Sequence, residues 1–402
     1  MSAPGKVIKI VEIDVDQCTR TWGSSPCGAA LGAINERKCF NSFYTCKFKS
    51  AYEAGVNTLR FCESTFGLHG GNFYPVLKSV SGRDQEVNIA GFGQQNIGIG
   101  KRANITIEMN DFPDRGILTD KYWQERISGA AQASGVGYDP MDMGSFWTTF
   151  RARNPNYAGR ALRVIEAHIA DDGSVVYDKT RHYVIDNIAS PSIGTVKITA
   201  KDILYLADDE KAVCPKTSRG MLSADISEST NEIWITPPSV ADEYPSSGTI
   251  CVGSEIMHYN RSGNYMFLQR GARGTVPSSH SVNDAVQLCY DQYLARADHM
   301  IRDLLISFGN IDPSYIDFWE WNREFDRWGT QFILSTTITK PTGVTKLIAE
   351  ICQLGVTVWW DEVARKVRLR INRPEESTIP DWTEENTLIS AKLDDNLSLI
   401  HI

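Results

Sequence analysis

The chain lacks a surplus of basic residues. Its net charge is −8 at pH 7, with both signs mixed along the length. No broad cationic field exists to draw in nucleic acid, so direct nucleic-acid recognition is not expected. Long apolar runs are missing too. No stretch reaches the ~18 apolar residues of a membrane helix, so stable membrane insertion is not expected. The opening residues, MSAPGKVIKIVEIDVDQ, have no long apolar core, which predicts no secretory leader. A reducing cytoplasm is then the expected folding compartment, where clustered cysteines more often bind metal than pair as disulfides. Catalytic signatures are absent as well: there is no G-x-S-x-G, no H-E-x-x-H, no Walker A loop, and no G-x-G-x-x-G opening a helix. The chain is therefore not expected to be an enzyme. No solenoid period occurs.

What is present is a 402-residue chain, 42% hydrophobic and 22% charged. That composition is globular, and the length predicts two or three domains. Ten Trp and fifteen Tyr supply large amphipathic side chains suited to cores and subunit contacts.

Most of the first half reads as strand and turn. VIKIVEIDV, VNTLRFC, ANITIEMNDF, ALRVIEAHIA, SVVYD, TRHYVIDNI and GTVKITAKDIL alternate with period two and are rich in β-branched residues. The best helical candidate there is TDKYWQERISGAA, capped by Thr119 or Asp120. ADDEKAVCPKTSRG (207–220) reads as a linker. Beyond it EIWITPP, GTICVGSEIMHY, YMFLQRGARGT and DAVQLCY read as four short strands. From Asp291 the texture turns helical: Leu294, Met300, Ile301, Leu304, Leu305 and Phe308 fall near helical spacing. A second helix, VTKLIAEICQLG, places Leu347, Ile348 and Ile351 on one face and stops at Gly355. Two strands joined by a DEVARK turn follow.

The fold class expected is mainly β with an α+β C-terminal part. The domains expected are an N-terminal strand and cysteine segment (1–75), a β-barrel-like domain (76–206), a small β module (207–290) and an α+β domain (291–373). Residues 374–402 form a tail whose end, LDDNLSLIHI, suits a truncated chain.

The densest chemistry is QCTRTWGSSPCGAALGAINERKCFNSFYTC, with Cys18, Cys27, Cys39 and Cys46 spaced C-x8-C-x11-C-x6-C. Close C-x2–4-C knuckles, usual in structural zinc sites, are absent. The common ferredoxin spacings do not fit either. The spacing leaves zinc, an iron–sulfur cluster, buried thiols, disulfides and a catalytic thiol open. Ligation is favoured, because Gly23, Gly28, Gly32 and Pro26 leave little apolar content to fold around. Cys62 is an alternate ligand, though a buried strand position suits it better. Cys214, Cys251, Cys289 and Cys352 read as ordinary thiols.

The segments CTRTWGSSPC and KCFNSFYTC resemble a motif of tail-tip proteins from long-tailed bacteriophages, C-x-L-x-Y-G-x-x-P-C then K-C-F-N-T-x-x-T-C. The x8 and x6 spacings are similar to those of the lambda minor tail protein L group. Trp22 stands in place of Tyr, Gly28 follows the second Cys, and Ser42 replaces Thr. FRARNPNYAGRALRV, TRHYVIDNI, VKITAKDILYLADDEKA, QRGARGTVPSSH and ITKPTGVTKLIAEICQLGVTVWWDE also resemble segments of these proteins. The resemblance implies a tail-tip or baseplate hub of β-barrels plus a small β module, with a structural [4Fe–4S] cluster on Cys18, Cys27, Cys39 and Cys46. It further implies a homotrimer in the virion, assembled in the host cytoplasm. The partners implied are a distal tail protein, a tape measure protein, other tail-tip proteins and the host surface. The rival readings are an iron–sulfur or zinc enzyme and a carbohydrate-binding surface protein.

The remaining candidates have plainer readings. His280, in RGARGTVPSSHS, has no acidic partner at ligand spacing and reads as a turn histidine. His168, His182, His258 and His299 read as packed or surface residues. GFGQQNIGIGKR (91–102) reads as a glycine-rich loop. Asp361 and Glu362 read as hairpin-turn residues. WEWNREFDRW (319–328) reads either as an aromatic contact surface or as an element partly buried by its Trp residues.

Overall fold

The computed structural model describes residues 7–21, 23–28, 40–63, 73–83, 103–113, 144–170, 172 and 174–373. The helix expected at TDKYWQERISGAA, the glycine-rich loop 91–102 and the tail 374–402 lie outside the described residues.

The N-terminal part is one eight-stranded sheet. Its strands are β1 (Val7–Cys18), β2 (Ala54–Cys62), β3 (Phe73–Tyr74), β4 (Leu77–Arg83), β5 (Asn104–Asn110), β6 (Ala161–Ile169), β7 (Val175–Ile188) and β8 (Thr195–Lys201). They are ordered β3-β2-β1-β6-β7-β8-β5-β4. The strands expected in 1–75 and in 76–206 thus share one sheet. Its two edge strands are neighbours in sequence, separated by Pro75 and Val76, so the sheet curls toward a barrel and leaves little open edge. Alternation explains its two faces. Val11 and Ile13 join Leu59, Phe61, Ile107, Met109, Leu162 and Ile198 in a core. Helix α1 (Phe146–Arg153) closes that core with Phe146, Trp147 and Phe150. On the other face Ile8 and Ile10 pack with Cys62, Ile165 and Ala167. Further along that face Glu12 and Asp14 meet the Arg163 guanidinium, and Arg60 pairs with Glu12.

SVVYD and TRHYVIDNI, expected as two strands, form the single strand β7. Lys179, which separates the two expected strands, pairs with Glu166, as Thr180 does with Ile165, and bulges absorb the irregularity.

A six-stranded sheet follows, ordered β10-β11-β14-β13-β12-β15. It comprises β9's successor β10 (Met221–Leu222), then β11 (Glu232–Thr236), β12 (Ser247–Val252), β13 (Glu255–Ser262), β14 (Tyr265–Gln269) and β15 (Val286–Leu288); β9 itself (Val213–Cys214) lies outside it. Leu222, Ile233, Ile235, Ile250, Met257, Tyr259, Met266 and Val286 form its core. GTICVGSEIMHY, expected as one strand, is a hairpin of β12 and β13. It reverses at Gly253, whose φ of +60° favours glycine.

The C-terminal part carries most of the helix. It runs β16 (Tyr290–Arg296), α2 (Ala297–Asp303) continued by a wider turn to Phe308, α3 (Phe318–Trp328), β17 (Ile333–Ile338), β18 (Thr342–Gly343), α4 (Val344–Cys352), β19 (Val356–Asp361) and β20 (Lys366–Ile371). Met300, Ile301, Leu304 and Leu305 are buried with Leu347, Ile348 and Ile351, as the helical spacing predicts. Leu294 is not. Residues 290–296 pair with β17, and Leu294 stands exposed at positive φ. Tertiary pairing overrides the helical pattern there. The stretch read as a linker is partly core: Ala207, Ala212 and Cys214 are buried in this cluster, and β9 pairs with β18. Gly355 ends α4's turn at φ +92°. In α3, Trp321 and Phe325 are buried while Trp319 is exposed.

Two polar junctions join the parts. Glu362 accepts the His182 N–H at 2.9 Å through its carbonyl, and the Tyr183 hydroxyl at 2.9 Å through its carboxylate. Trp360 Nε1 donates to the His182 carbonyl at 3.0 Å. Asp291, where the small sheet meets the helical part, accepts from Thr249, Arg273 and Thr337 at 2.7–3.0 Å.

Candidate functional site: the cysteine cavity

The end of β1 delivers Cys18, whose N–H donates to the Asn41 carbonyl at 2.6 Å. That bond ties the first cysteine to the second half of the motif. Cys27 closes a turn onto the Ser24 carbonyl at 2.8 Å, and Cys46 closes one onto the Ser42 carbonyl at 3.1 Å. Two hydroxyls hold the second turn. Ser42 Oγ lies 2.9 Å from Thr45 Oγ1, and it donates to the Arg153 carbonyl on α1 at 3.0 Å. Thr45 Oγ1 accepts from the Phe40 N–H at 3.1 Å. Arg153 in turn stacks its guanidinium 3.8 Å from the Phe40 ring. These scaffold roles of Asn41, Ser42, Thr45 and Arg153 are not apparent from the cysteine spacing. A Cβ on Gly28 would sit 3.0 Å from the ring of Phe48, an exposed side chain, so the backbone and that ring are in close contact there.

Cys18, Cys27 and Cys46 line one cavity with Arg20, Asn41, Ser42, Phe48, Ala51 and Tyr52. Cys39 lies outside the described residues. The cavity is small, about 20 Å³, room for about one water. Among the described residues, no three His, Cys, Asp or Glu side chains stand at metal-binding distance of one point. The three sulfurs share a wall without converging on a single ion. All three are partly exposed, whereas Cys62, Cys214, Cys251, Cys289 and Cys352 are buried. Burial pushes the thiols of Cys289 and Cys352 up to about 12, and raises Cys214 and Cys251 as well. Cys62 takes no part in the cavity. It pairs with Ile10 while Cys18 pairs with Ala54, which separates them by roughly 27 Å along β1 at strand rise.

The donor set suits a soft, thiolate-bound centre. A second feature of the same wall points the same way. The Tyr52 hydroxyl is buried with no hydrogen-bond partner among the described residues. Burial, and then the neighbouring Asp16, Cys18 and Cys46, push its pKa up to about 12. The surroundings are equally informative. Among described residues 19–53, only Asn41, Ser42 and Thr45 are buried. No apolar side chain there is buried, and Phe43, Tyr44 and Phe48 are exposed. The described residues of the segment form no hydrophobic core of their own.

The other candidates are structural. His280 has an acidic partner that its spacing hid. Its Nε2 lies 2.9 Å from Glu255, 25 residues away and fully buried, which also takes the Arg270 guanidinium at 2.7 and 2.8 Å. Burial would raise the Glu255 carboxyl, but Arg270, His280 and the N–H groups of Ser278 and Gly271 outweigh it and carry it down to about 2. His168 bonds Asp178, His258 bonds Thr249, and His299 packs against Phe318. Burial lowers the pKa of His182. Asp361 accepts the N–H groups of Val363 and Ala364 in its own turn, as a turn acid should.

No family model matches the chain, and no curated protein matches it. Among solved structures, a chain from the virion of a native gene transfer agent (GTA) particle is similar over 70% of this chain and 79% of that one. The identity is 10% and the TM-score 0.20, a level that carries no argument about fold or function.

Proposed function

We propose that the chain is a structural component of a phage virion, a tail-tip or baseplate hub, and that Cys18, Cys27, Cys39 and Cys46 hold a [4Fe–4S] cluster. The observation that carries the cluster reading is a shared sulfur-lined cavity in a segment whose described residues bury no apolar side chain. Those residues have little apolar burial to offset the entropy of ordering them. Bound to thiolates, an inorganic centre supplies cross-linking, and its binding free energy becomes folding free energy. The chain's own residues do the rest. The Cys18–Asn41 bond joins the two halves of the motif, Ser42 and Thr45 shape the second turn, and Arg153 docks that turn on α1. The role assigned is structural, without catalysis.

The hub reading rests on the motif likeness to phage tail-tip proteins. It places the chain in a homotrimer beside a distal tail protein, a tape measure protein and other tail-tip proteins, contributing to tail assembly and DNA delivery. A closed ring needs two different patches on each subunit. Exposed Trp234 and Phe267 on the small sheet and Trp319 on α3 are among the large apolar side chains offered for them.

Purification without oxygen tests both halves. Brown protein with iron and labile sulfide supports the cluster. Stoichiometric zinc replaces it with a zinc site, and a folded, colourless, metal-free protein overturns it. A species that stays monomeric at high concentration overturns the trimer.

A further inference from the structure

The position of Tyr52 is fixed more tightly than its chemistry is satisfied. It follows a short 3-10 turn, Lys49–Ala51, and its N–H closes that turn onto the Lys49 carbonyl at 3.2 Å. Its ring stands edge-on to Phe43, with centroids 5.2 Å apart and planes at 80°. These contacts hold the ring in the cavity wall beside Cys18, Cys27 and Cys46. The hydroxyl is then buried with no acceptor among the described residues, an arrangement that costs stability. Three acidic groups lie near it, the carboxylate of Asp16 and the thiols of Cys18 and Cys46 in the same wall. Asp16 already pairs with the Arg160 guanidinium. The sulfurs remain. A phenol has one hydrogen to give, and a metal-bound thiolate accepts it readily.

We propose that Tyr52 is a positioning residue for the inorganic centre, its hydroxyl donating a hydrogen bond to the thiolate of Cys18 or Cys46. This rests on the reading of residues 18–46 as a metal-binding segment. The bond draws negative charge away from sulfur. In an iron–sulfur centre that favours the reduced, more negative state and raises the reduction potential. In any thiolate centre it holds the ligand in its binding orientation.

The test loads the full chain and its Tyr52→Phe variant with iron and sulfide under exclusion of oxygen. Phenylalanine keeps the ring against Phe43 and removes the oxygen alone. Both proteins are expected to load to equal iron content. The variant should then hold iron about 10–100-fold less tightly against a competing chelator, the usual effect of losing an outer hydrogen bond. Its reduction potential should be more negative. If the centre is zinc, the chelator competition alone decides. Equal retention and equal potential in two loaded proteins overturn the role of Tyr52 and leave the centre standing. A wild-type chain that takes up neither iron nor zinc removes the centre, and Tyr52's role with it. Should only the variant fail to load, its metal-free form is compared with metal-free wild type by circular dichroism. Identical spectra support the proposal; different spectra show a packing role and overturn it.

Discussion

The small β sheet at 221–288 and the cysteine segment at 18–53 are opposite solutions to holding a chain in place. The sheet buries Leu222, Ile235, Ile250, Met257, Met266 and Val286 together, and its one deeply buried carboxylate, Glu255, is met by Arg270, His280 and two backbone N–H groups. Apolar burial drives it, and polar satisfaction is complete at Glu255. The cysteine segment buries only polar side chains among its described residues. An unmet hydroxyl does not separate the two, since Tyr259 in the sheet has one as Tyr52 does; apolar burial does. A region with its own core needs no external ligand, and on the proposed reading the cysteine segment is completed by one.

Removing the ligand should break the comparison most. Cys18→Ser or Cys46→Ser is expected to abolish metal uptake and expose residues 18–53 to protease, while fragments covering 221–288 stay resistant; limited proteolysis with mass spectrometry reads both. In the sheet, the equivalent blow is Glu255→Ala. It leaves a buried guanidinium unpaired and should cost about 3–5 kcal/mol in denaturant unfolding, with metal content unchanged. Acid sharpens the contrast. Glu255 is depressed from its ordinary value near 4.5 to about 2. Its stabilisation is therefore fully present above about pH 4.5 and lost as pH falls through about 2. Acid titration followed by tryptophan fluorescence should show the sheet holding down to about pH 4.5 and weakening below it. Asp291→Asn, which weakens the junction with Thr249, Arg273 and Thr337, should cost about 1–3 kcal/mol, seen as a lowered melting temperature. Trp319→Ala should change monomer stability by no more than about 0.5 kcal/mol, while weakening any trimer in sedimentation.

Much of this was legible in the residues. Period-two alternation marks β1, β5 and β6 because one face of each strand enters a core. The apolar stripe of α4 and the DEVARK hairpin are equally plain. What stayed hidden depends on partners distant in sequence. Leu294 looks helical until β17 claims its neighbours. SVVYD and TRHYVIDNI look like two strands until β6 supplies one continuous ladder. His280 looks idle because Glu255 sits on another strand. Within the site, the spacing singled out the cysteines, and the fold brings Cys18, Cys27 and Cys46 to one cavity. It could not single out Tyr52 or Ser42, which are marked by lining that cavity rather than by residue type. Cys62 has the right chemistry and the wrong place on β2.

The central claim is that an inorganic centre, and not apolar packing, orders the cysteine segment. Hydrogen exchange of the loaded and metal-stripped chain, read peptide by peptide, tests it directly. Protection across residues 18–53 should collapse on stripping while residues 221–288 exchange as before. Equal protection of residues 18–53 in both forms would contradict the account.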